Sequence, residues 1–241
     1  MLRSAISGAF EAYTISNNNV VGAANLGAVG SNWQLAGFGQ FNGPGTTTDM
    51  MLRDSGSGTF ELYTINNNAV TGARAIGAVG VDWRVQGFGD LNGDGTDDML
   101  LRNAGTGMFE DYDIKNGQVA AAHALGAVGN DWQLVGLDDF SGDGTDDMML
   151  RNTTTGMFEI YTVKNDGVAG VSAIGAVGVE WQVAGFGPCN GPGSTDMVLH
   201  NQSSGAFEVY DIAGGQLTGA APLGAVGVDW QVGGIQVHLP S

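Results

Sequence analysis

The sequence is poor in positive charge, in cysteine and in long apolar segments. Its 241 residues include 8 Lys and Arg against 25 Asp and Glu, which gives a formal net charge of −17. Recognition of nucleic acid needs clustered basic side chains on the phosphates, so the composition excludes this partner. The single Cys189 cannot form a disulfide within the chain. Apolar runs are short and interrupted by glycine, so no membrane span is predicted.

Two further proportions narrow the fold class. Only 14% of the residues are charged, and 42 of the 241 are glycine, about 17% against a typical ~7%. This composition excludes a coiled coil or a helical bundle. The hydrophobic share of 43% is enough to bury a core, so a disordered acidic chain is excluded as well.

A unit of about 49 residues occurs five times along the chain. All five tryptophans and all five tyrosines recur at this spacing, and a Phe-Glu pair precedes each tyrosine. The units cover approximately residues 1–49, 50–98, 99–147, 148–196 and 197–241 of a single predicted domain, 1–241. A period of this length is typical of a β-propeller or another repeat architecture.

Each unit contains signals for four short strands. In the third unit these are Met99–Arg102, Met108–Ile114, Gln118–Leu125 and a segment that begins at Trp132. Asn116-Gly117 between the second and third segments is a strong hairpin signal. The pattern predicts an all-β, five-bladed β-propeller of four-stranded repeats, with a β-solenoid as the alternative.

The two ends of the chain are incomplete in complementary ways. The sequence starts on the strand Met1-Leu2-Arg3, the copy of residues 51–53, and ends after the copy that begins at Trp230. Pairing of the N- and C-terminal strands would complete the first blade and remove an open sheet edge, so we expect a closed ring. The alternative is an open arc of five blades, which would favour oligomers.

Two acidic loops have oxygen donors at alternate positions, the spacing that suits calcium. The predicted ligands are Asp90, Asn92, Asp94, Thr96 and Asp98 in one loop, and Asp139, Ser141, Asp143, Thr145 and Asp147 in the other. The equivalent loops Gln40–Gly45 and Pro188–Gly193 lack the carboxylates at loop positions 1 and 5 and are predicted to be metal-free. The alternative for all four is a tight turn capped by Asp side chains.

At this loop the chain resembles the FG-GAP/VCBS family of repeat propellers. The match is carried by Gly87-Phe88-Gly89-Asp90, followed by Leu91-Asn92-Gly93-Asp94-Gly95, and the repeat covers nearly the whole chain. The resemblance implies a propeller with calcium in the loop and a role in adhesion, recognition or scaffolding. Many members of the family have seven blades, whereas this chain has five repeats.

The repeated tryptophans have two interpretations. Each indole fills the core between blades, or each forms an aromatic platform beside a carboxylate for a sugar ring. The candidate ligand-binding residues are Trp33, Trp83, Trp132, Trp181, Trp230, Asp82, Asp131 and Asp229.

The hypothesis is a calcium-supported recognition module that binds glycans or a protein surface and is extracellular or at the cell surface. The first residues nevertheless lack the apolar stretch of a signal peptide. The alternative is a structural or assembly propeller. Catalysis is not predicted, because the three histidines occupy unrelated repeat positions and the repeated Glu fits a structural ion pair with the Arg of the neighbouring strand.

Overall fold

The computed structural model describes residues 1–45, 48–191 and 194–233. Across these residues it has nineteen β-strands and no helix, hence no helical membrane span. The strands form five antiparallel sheets in which neighbours along the chain are hydrogen-bonded. The all-β class predicted from the repeat is therefore confirmed.

The sheets have the following strands. The first has β1 (Leu2–Arg3), β2 (Ala9–Ser16) and β3 (Asn19–Ala28). The second has β4 (Trp33–Gly39), β5 (Asp49–Asp54), β6 (Thr59–Asn66) and β7 (Ala69–Ala78). The third has β8 (Trp83–Gly89), β9 (Asp98–Asn103), β10 (Met108–Lys115) and β11 (Gln118–Ala127). The fourth has β12 (Trp132–Asp138), β13 (Asp147–Asn152), β14 (Met157–Lys164) and β15 (Gly167–Ala176). The fifth has β16 (Trp181–Gly187), β17 (Asp196–Asn201), β18 (Ala206–Ala213) and β19 (Gln216–Ala225).

Each complete sheet starts at a tryptophan and runs as a four-stranded meander, which is the topology of a propeller blade. The five sheets are the blades of the predicted five-bladed class. The first has three strands among the described residues, as expected if its fourth comes from the C-terminus. Residues 234–241 lie outside the described part of the chain, so ring closure stays a prediction.

The hairpin turns follow the sequence signal. Asn116 and Gly117 both have positive φ, 51° and 66°, which is the requirement of a type I′ turn. The equivalent turns have the same backbone sign at Asn67-Asn68 and Asn165-Asp166. Asn and Asp tolerate this conformation better than other side chains, so the turn is conserved in geometry although its sequence changes.

The chain divides by contacts into two compact units. One contains Met1–Phe88, Asp94–Gly105 and Tyr112–Ala122, and the other contains Gly89–Gly93, Thr106–Asp111 and His123–Ser241. The first unit has a core around Met51, Phe60 and Leu101, and the second has a core around Met149, Phe158 and Leu199.

Candidate functional site

Asp139 closes the acidic loop that precedes β13. Its Oδ1 accepts the backbone N–H of Gly142 at 2.7 Å and of Asp143 at 2.9 Å, and its Oδ2 accepts that of Gly144 at 2.9 Å. These contacts fix the sharp bend, in which Gly142 and Gly144 have positive φ. The first predicted calcium ligand is therefore engaged with its own loop, as in the tight-turn alternative.

Asp143, at position 5 of the loop, is held by a hydroxyl and by an ammonium group. Its Oδ1 lies 2.6 Å from Thr145 Oγ1, and its Oδ2 lies 3.1 Å from Lys164 Nζ. The hydrogen bond from Thr145 and the neighbouring Lys164 lower the pKa of Asp143 below its usual value. The carboxylate is thus charged and already has a cationic partner.

Asp147, the last predicted ligand of this loop, is fully buried. It accepts the backbone N–H of Val163 at 3.0 Å and that of Ser141 at 2.7 Å. Burial raises the pKa of Asp147. Its carboxylate joins the loop to the far end of β14.

The same hydrogen bond recurs at every complete loop. The aspartate at the start of the strand after the loop accepts the backbone N–H of the residue sixteen positions later. The pairs are Asp49–Ile65 (3.3 Å), Asp98–Ile114 (2.9 Å), Asp147–Val163 (3.0 Å) and Asp196–Ile212 (3.3 Å). This role was missed from the sequence, where Asp98 and Asp147 are assigned to metal. The signal was available, because Asp49 and Asp196 are retained in the two loops that have lost the other carboxylates.

The loop before β9 repeats these features. Asp90 Oδ1 accepts the N–H of Gly93 at 2.7 Å, and Asp94 Oδ1 accepts that of Thr96 at 2.9 Å. Lys115 Nζ lies 3.2 Å from Asp94 Oδ2. Partial burial favours a higher pKa for Asp94, but the hydrogen bonds from Lys115 and Thr96 outweigh it and lower the pKa. Asn92 is partly buried at the tip.

The donor set of the Asp139 loop is of the type that a hard cation takes, but it is not gathered around one point. Among the described residues, the carboxylates of Asp139, Asp143 and Asp147 do not form a group of three with oxygens within 4.8 Å of one another. Lys164 beside Asp143 supplies positive charge that opposes a calcium ion there, and Asp139 already accepts three amide N–H groups. The chemistry of the residues fits calcium, and their present arrangement is that of a loop closed by its own hydrogen bonds.

The carboxylate at position 8 of each acidic loop links neighbouring loops. Asp146 Oδ2 accepts the N–H of Asp90 at 2.9 Å, and the N–H of Asp146 donates to the Asp90 carbonyl at 2.8 Å. Asp97 makes the same pair of contacts to Gln40, at 2.7 and 3.2 Å. A Cβ on Gly89 would lie 2.4 Å from Asp146 Oδ2, so glycine is needed beside this contact.

A buried acid of the third sheet has no counterpart in the other units. Asp111 is fully buried at a position where other units carry Leu62, Ile160 or Val209. Its carboxylate oxygen lies within 4.8 Å of one from Asp166, which in turn lies 3.6 Å from His123 Nε2. Sequence reasoning missed this group, although a single acid at an otherwise apolar repeat position is a visible signal.

The predicted tryptophan platforms are for the most part packed into cores. Trp33, Trp83 and Trp181 are partly buried and contact core clusters of their units, and Trp132 is also partly buried. Trp230 differs, because 68% of its surface is exposed. The core interpretation therefore describes the first four indoles better than the platform interpretation does.

The carboxylates next to these tryptophans have partners of their own. Asp82 Oδ2 accepts the side-chain amide of Asn103 at 2.7 Å, and Asp131 Oδ2 accepts that of Asn152 at the same distance. Asp229 is exposed. The structure thus uses Asp82 and Asp131 to join the end of one strand to the start of its neighbour.

Three clefts lie at the same repeat position, beside the residue that follows the tryptophan. Their volumes are about 230, 420 and 480 Å³. Equivalent lining residues are Gln34, Ala36, Arg53, Ser55, Val81 and Arg84 in the first, Gln133, Val135, Arg151, Thr153, Val179 and Gln182 in the second, and Gln182, Ala184, His200, Gln202, Val228 and Gln231 in the third. Each combines side-chain amides or hydroxyls with a valine.

The arginine in these clefts links its sheet to the chain segment that follows. Arg53 Nη1 donates to the Trp83 carbonyl at 2.6 Å, and its Nη2 lies 3.1 and 3.0 Å from the carbonyls of Val79 and Gly80. The guanidinium also stacks over the Phe60 ring at 5.0 Å. Arg151 makes equivalent contacts to the carbonyls of Gly178 and Trp181.

For Arg53 and Arg151, the predicted ion pair with the repeated Glu is therefore wrong. The Glu instead accepts a hydrogen bond from the tyrosine two residues later, at 2.7 Å for Tyr63–Glu61 and 2.9 Å for Tyr161–Glu159. The strand register explains the error, because Arg53 faces Phe60 across the strands while Glu61 faces Leu52. Neighbouring positions in a strand point to opposite faces.

The third cleft has histidine where the other two have arginine. His200 is 7% exposed and stacks on Phe207 at 4.4 Å, and its Nε2 has no hydrogen-bond partner. The exposed indole of Trp230 lines the same cleft, together with three glutamines. An aromatic face and several neutral hydrogen-bonding groups thus occur together here.

The single cysteine, Cys189, lies in the loop after β16. Cys189 is exposed, and partial burial of its thiol together with Asp196 and Asp211 raises its pKa. A raised pKa disfavours the reactive thiolate. His238 lies outside the described residues.

Neither protein-family models nor curated proteins gave a match to this chain.

Proposed function

We propose that the protein is a non-enzymatic recognition module that binds glycans at several equivalent clefts. The observation that carries the proposal is the recurrence of one cleft at the same repeat position in three places, with amide or hydroxyl side chains and a valine in register. A repeated set of side chains produces similar chemical environments, and several weak sites together provide avidity.

The side chains of the clefts suit a sugar. Amides and hydroxyls donate and accept hydrogen bonds with hydroxyl groups, and the exposed valines can contact the apolar face of a pyranose. The third cleft adds the exposed Trp230, a platform on which such a ring can stack. We expect this cleft to bind neutral saccharides most tightly and the first, with Arg53 and Arg84, to favour acidic ones.

We propose further that calcium supports the two acidic loops, as the resemblance to FG-GAP/VCBS propellers implies. The residues that would hold it are Asp90, Asn92 and Asp94 in one loop and Asp139, Ser141 and Asp143 in the other. Bound calcium would neutralise the crowded carboxylates and stabilise the fold by mass action. It would take no part in the contact with the sugar, which rests on the clefts alone.

A glycan array on the fluorescently labelled protein tests the proposal most directly. Calorimetry with a saccharide identified in this way should give three to five sites per chain. Trp230→Ala should remove one of these sites and the change in indole fluorescence on binding. Val171→Ala is the matched control, because this residue is exposed and lines none of the three clefts.

Two outcomes would contradict this function. A stoichiometry of one would indicate a single site made by the differences between units. No binding across a broad glycan panel would favour the alternative, a scaffold or protein-binding propeller, for which exposed Val81, Val179 and Val228 provide apolar contacts.

A further inference from the structure

The chain has only two lysines, and both contact the acidic loops. Lys115 Nζ lies 3.2 Å from Asp94 Oδ2, and Lys164 Nζ lies 3.1 Å from Asp143 Oδ2. Both lysines are the last residue of the third strand of their sheet in chain order, β10 and β14. The contact is therefore the same one in two units.

The lysine and the aspartate vary together among the repeats. In the two loops that have proline at the position of Asp94, the position of Lys115 is occupied by Asn66 or Ala213. The other loop aspartate, at the start of the following strand, is present whether or not the lysine is. The lysine thus accompanies the carboxylate at position 5 of the loop and not the loop itself.

We infer that Lys115 and Lys164 are built-in cations that compete with calcium for Asp94 and Asp143. An ammonium group 3.1 or 3.2 Å from the carboxylate oxygen already supplies positive charge there, and it repels a metal ion that would coordinate the same carboxylate. The lysine side chains are 61% and 53% exposed, so the ion pairs are weak enough to exchange. The loops are closed by lysine without metal and bind calcium with reduced affinity. This inference rests on the calcium proposal above.

The test uses the full chain with both lysines replaced by methionine, K115M/K164M, which keeps the length of the side chain and removes its charge. K115R/K164R is the matched control, since it keeps the positive charge. Calcium binding is measured by calorimetry, and melting temperature is measured in calcium and in chelator. Circular dichroism checks the fold of each variant.

We expect the methionine variant to bind calcium about fivefold more tightly than the wild type, the scale set by an exposed ion pair. Its melting temperature should depend more strongly on calcium, and the arginine variant should resemble the wild type. A methionine variant that folds only in calcium would also support the inference.

Other outcomes separate this inference from the calcium proposal. Equal calcium affinity in the wild type and the methionine variant would overturn the role of the lysines and leave the calcium sites standing. Binding by the methionine variant alone would support the lysines as cations that exclude calcium and overturn calcium as a partner of the natural chain. No binding by any variant would overturn both.

Discussion

Two loops at the same place in their sheets, 139–147 and 40–49, are closed by different side chains. In the first, Asp139 accepts three backbone N–H groups and Asp143 contacts Lys164. In the second, Asn42 donates to Asp49 and to Thr64 Oγ1 and accepts from Arg74 at 2.6 Å. The loop 40–49 thus has one neutral amide and one arginine where the loop 139–147 has two carboxylates and one lysine.

The two loops nevertheless share their last aspartate. Asp49 and Asp147 are both fully buried. Asp49 accepts the N–H of Ile65 in β6, and Asp147 accepts that of Val163 in β14. The comparison distinguishes residues that every loop needs to hold its shape from residues that differ between acidic and neutral loops. The former include Asp147, and the latter include Asp139 and Asp143.

The largest effect is expected from the shared aspartate. Asp147→Ala removes the acceptor of the Val163 and Ser141 N–H groups at a position shielded from solvent. This loss should lower the free energy of unfolding by roughly 3 kcal/mol. Urea denaturation with and without calcium measures this loss. Asp143→Ala, at a position that is proline in the other loop, should cost under about 1 kcal/mol. Similar losses for the two variants would show that Asp143 is as important as Asp147 for the stability of the loop.

A second prediction extends the comparison from the loops to the clefts. Arg53→His removes hydrogen bonds to the carbonyls of Trp83, Val79 and Gly80 and should cost about 2 kcal/mol. The reverse exchange, His200→Arg, introduces a donor to the last sheet and should raise stability by about 1 kcal/mol. Thermal melts of both variants measure these changes. Stability unchanged by Arg53→His would show that the carbonyl contacts contribute nothing.

The hydrogen bonds that link neighbouring loops should contribute equally to stability, whether the loop that donates the N–H is neutral, as at Gln40, or acidic, as at Asp90. Asp97→Ala removes the acceptor of the Gln40 N–H, and Asp146→Ala removes that of Asp90. Each should cost about 1 kcal/mol, and the two losses should agree within error, because each removes the same contact. Denaturation curves of the two single variants provide the measurement. A loss confined to Asp146→Ala would make this contact a property of the acidic loops alone.

The smallest effect is a loss of stability in alkali. Burial, followed by the hydrogen bond to Glu159, raises the pKa of Tyr161 to about 12, and Tyr63 in the second sheet has a pKa of about 12 for the same reasons. Each folded pKa lies above the unfolded value of about 10, so this stabilisation is present below pH 10 and is lost as the pH rises toward 12. Solvent screening limits it to about 0.5 kcal/mol for each tyrosine.

Denaturation at pH 9 and pH 11 measures this loss. Tyr161→Phe and Tyr63→Phe should each reduce it, by the same amount. A difference between the two variants would show that the loop chemistry reaches the tyrosines. An alkaline loss that neither variant changes would assign it to other groups.

The spacing of Trp33 and its four copies determined the repeat, the number of sheets and their meander order. This signal is local, because each strand pairs with its neighbour along the chain and Asn116-Gly117 specifies the turn between β10 and β11. The loop sequence showed where aspartates are frequent along the chain, but among the described residues the carboxylates of Asp139, Asp143 and Asp147 do not form a close group. Its resemblance to a calcium loop gave a donor set but not the partners of each donor.

Those partners were decided by the tertiary structure. Asp147 meets Val163, and Lys164 meets Asp143, only after the hairpin has folded back on the loop, and no spacing rule within nine residues contains this contact. The exposure of Trp230 was likewise decided by its surroundings, because the equivalent Trp33, Trp83, Trp132 and Trp181 are partly buried. The sequence therefore determined the elements and their order, because these follow from local turns and periodicity. Which carboxylates are buried, paired or open to a ligand was decided by packing between segments far apart in the chain.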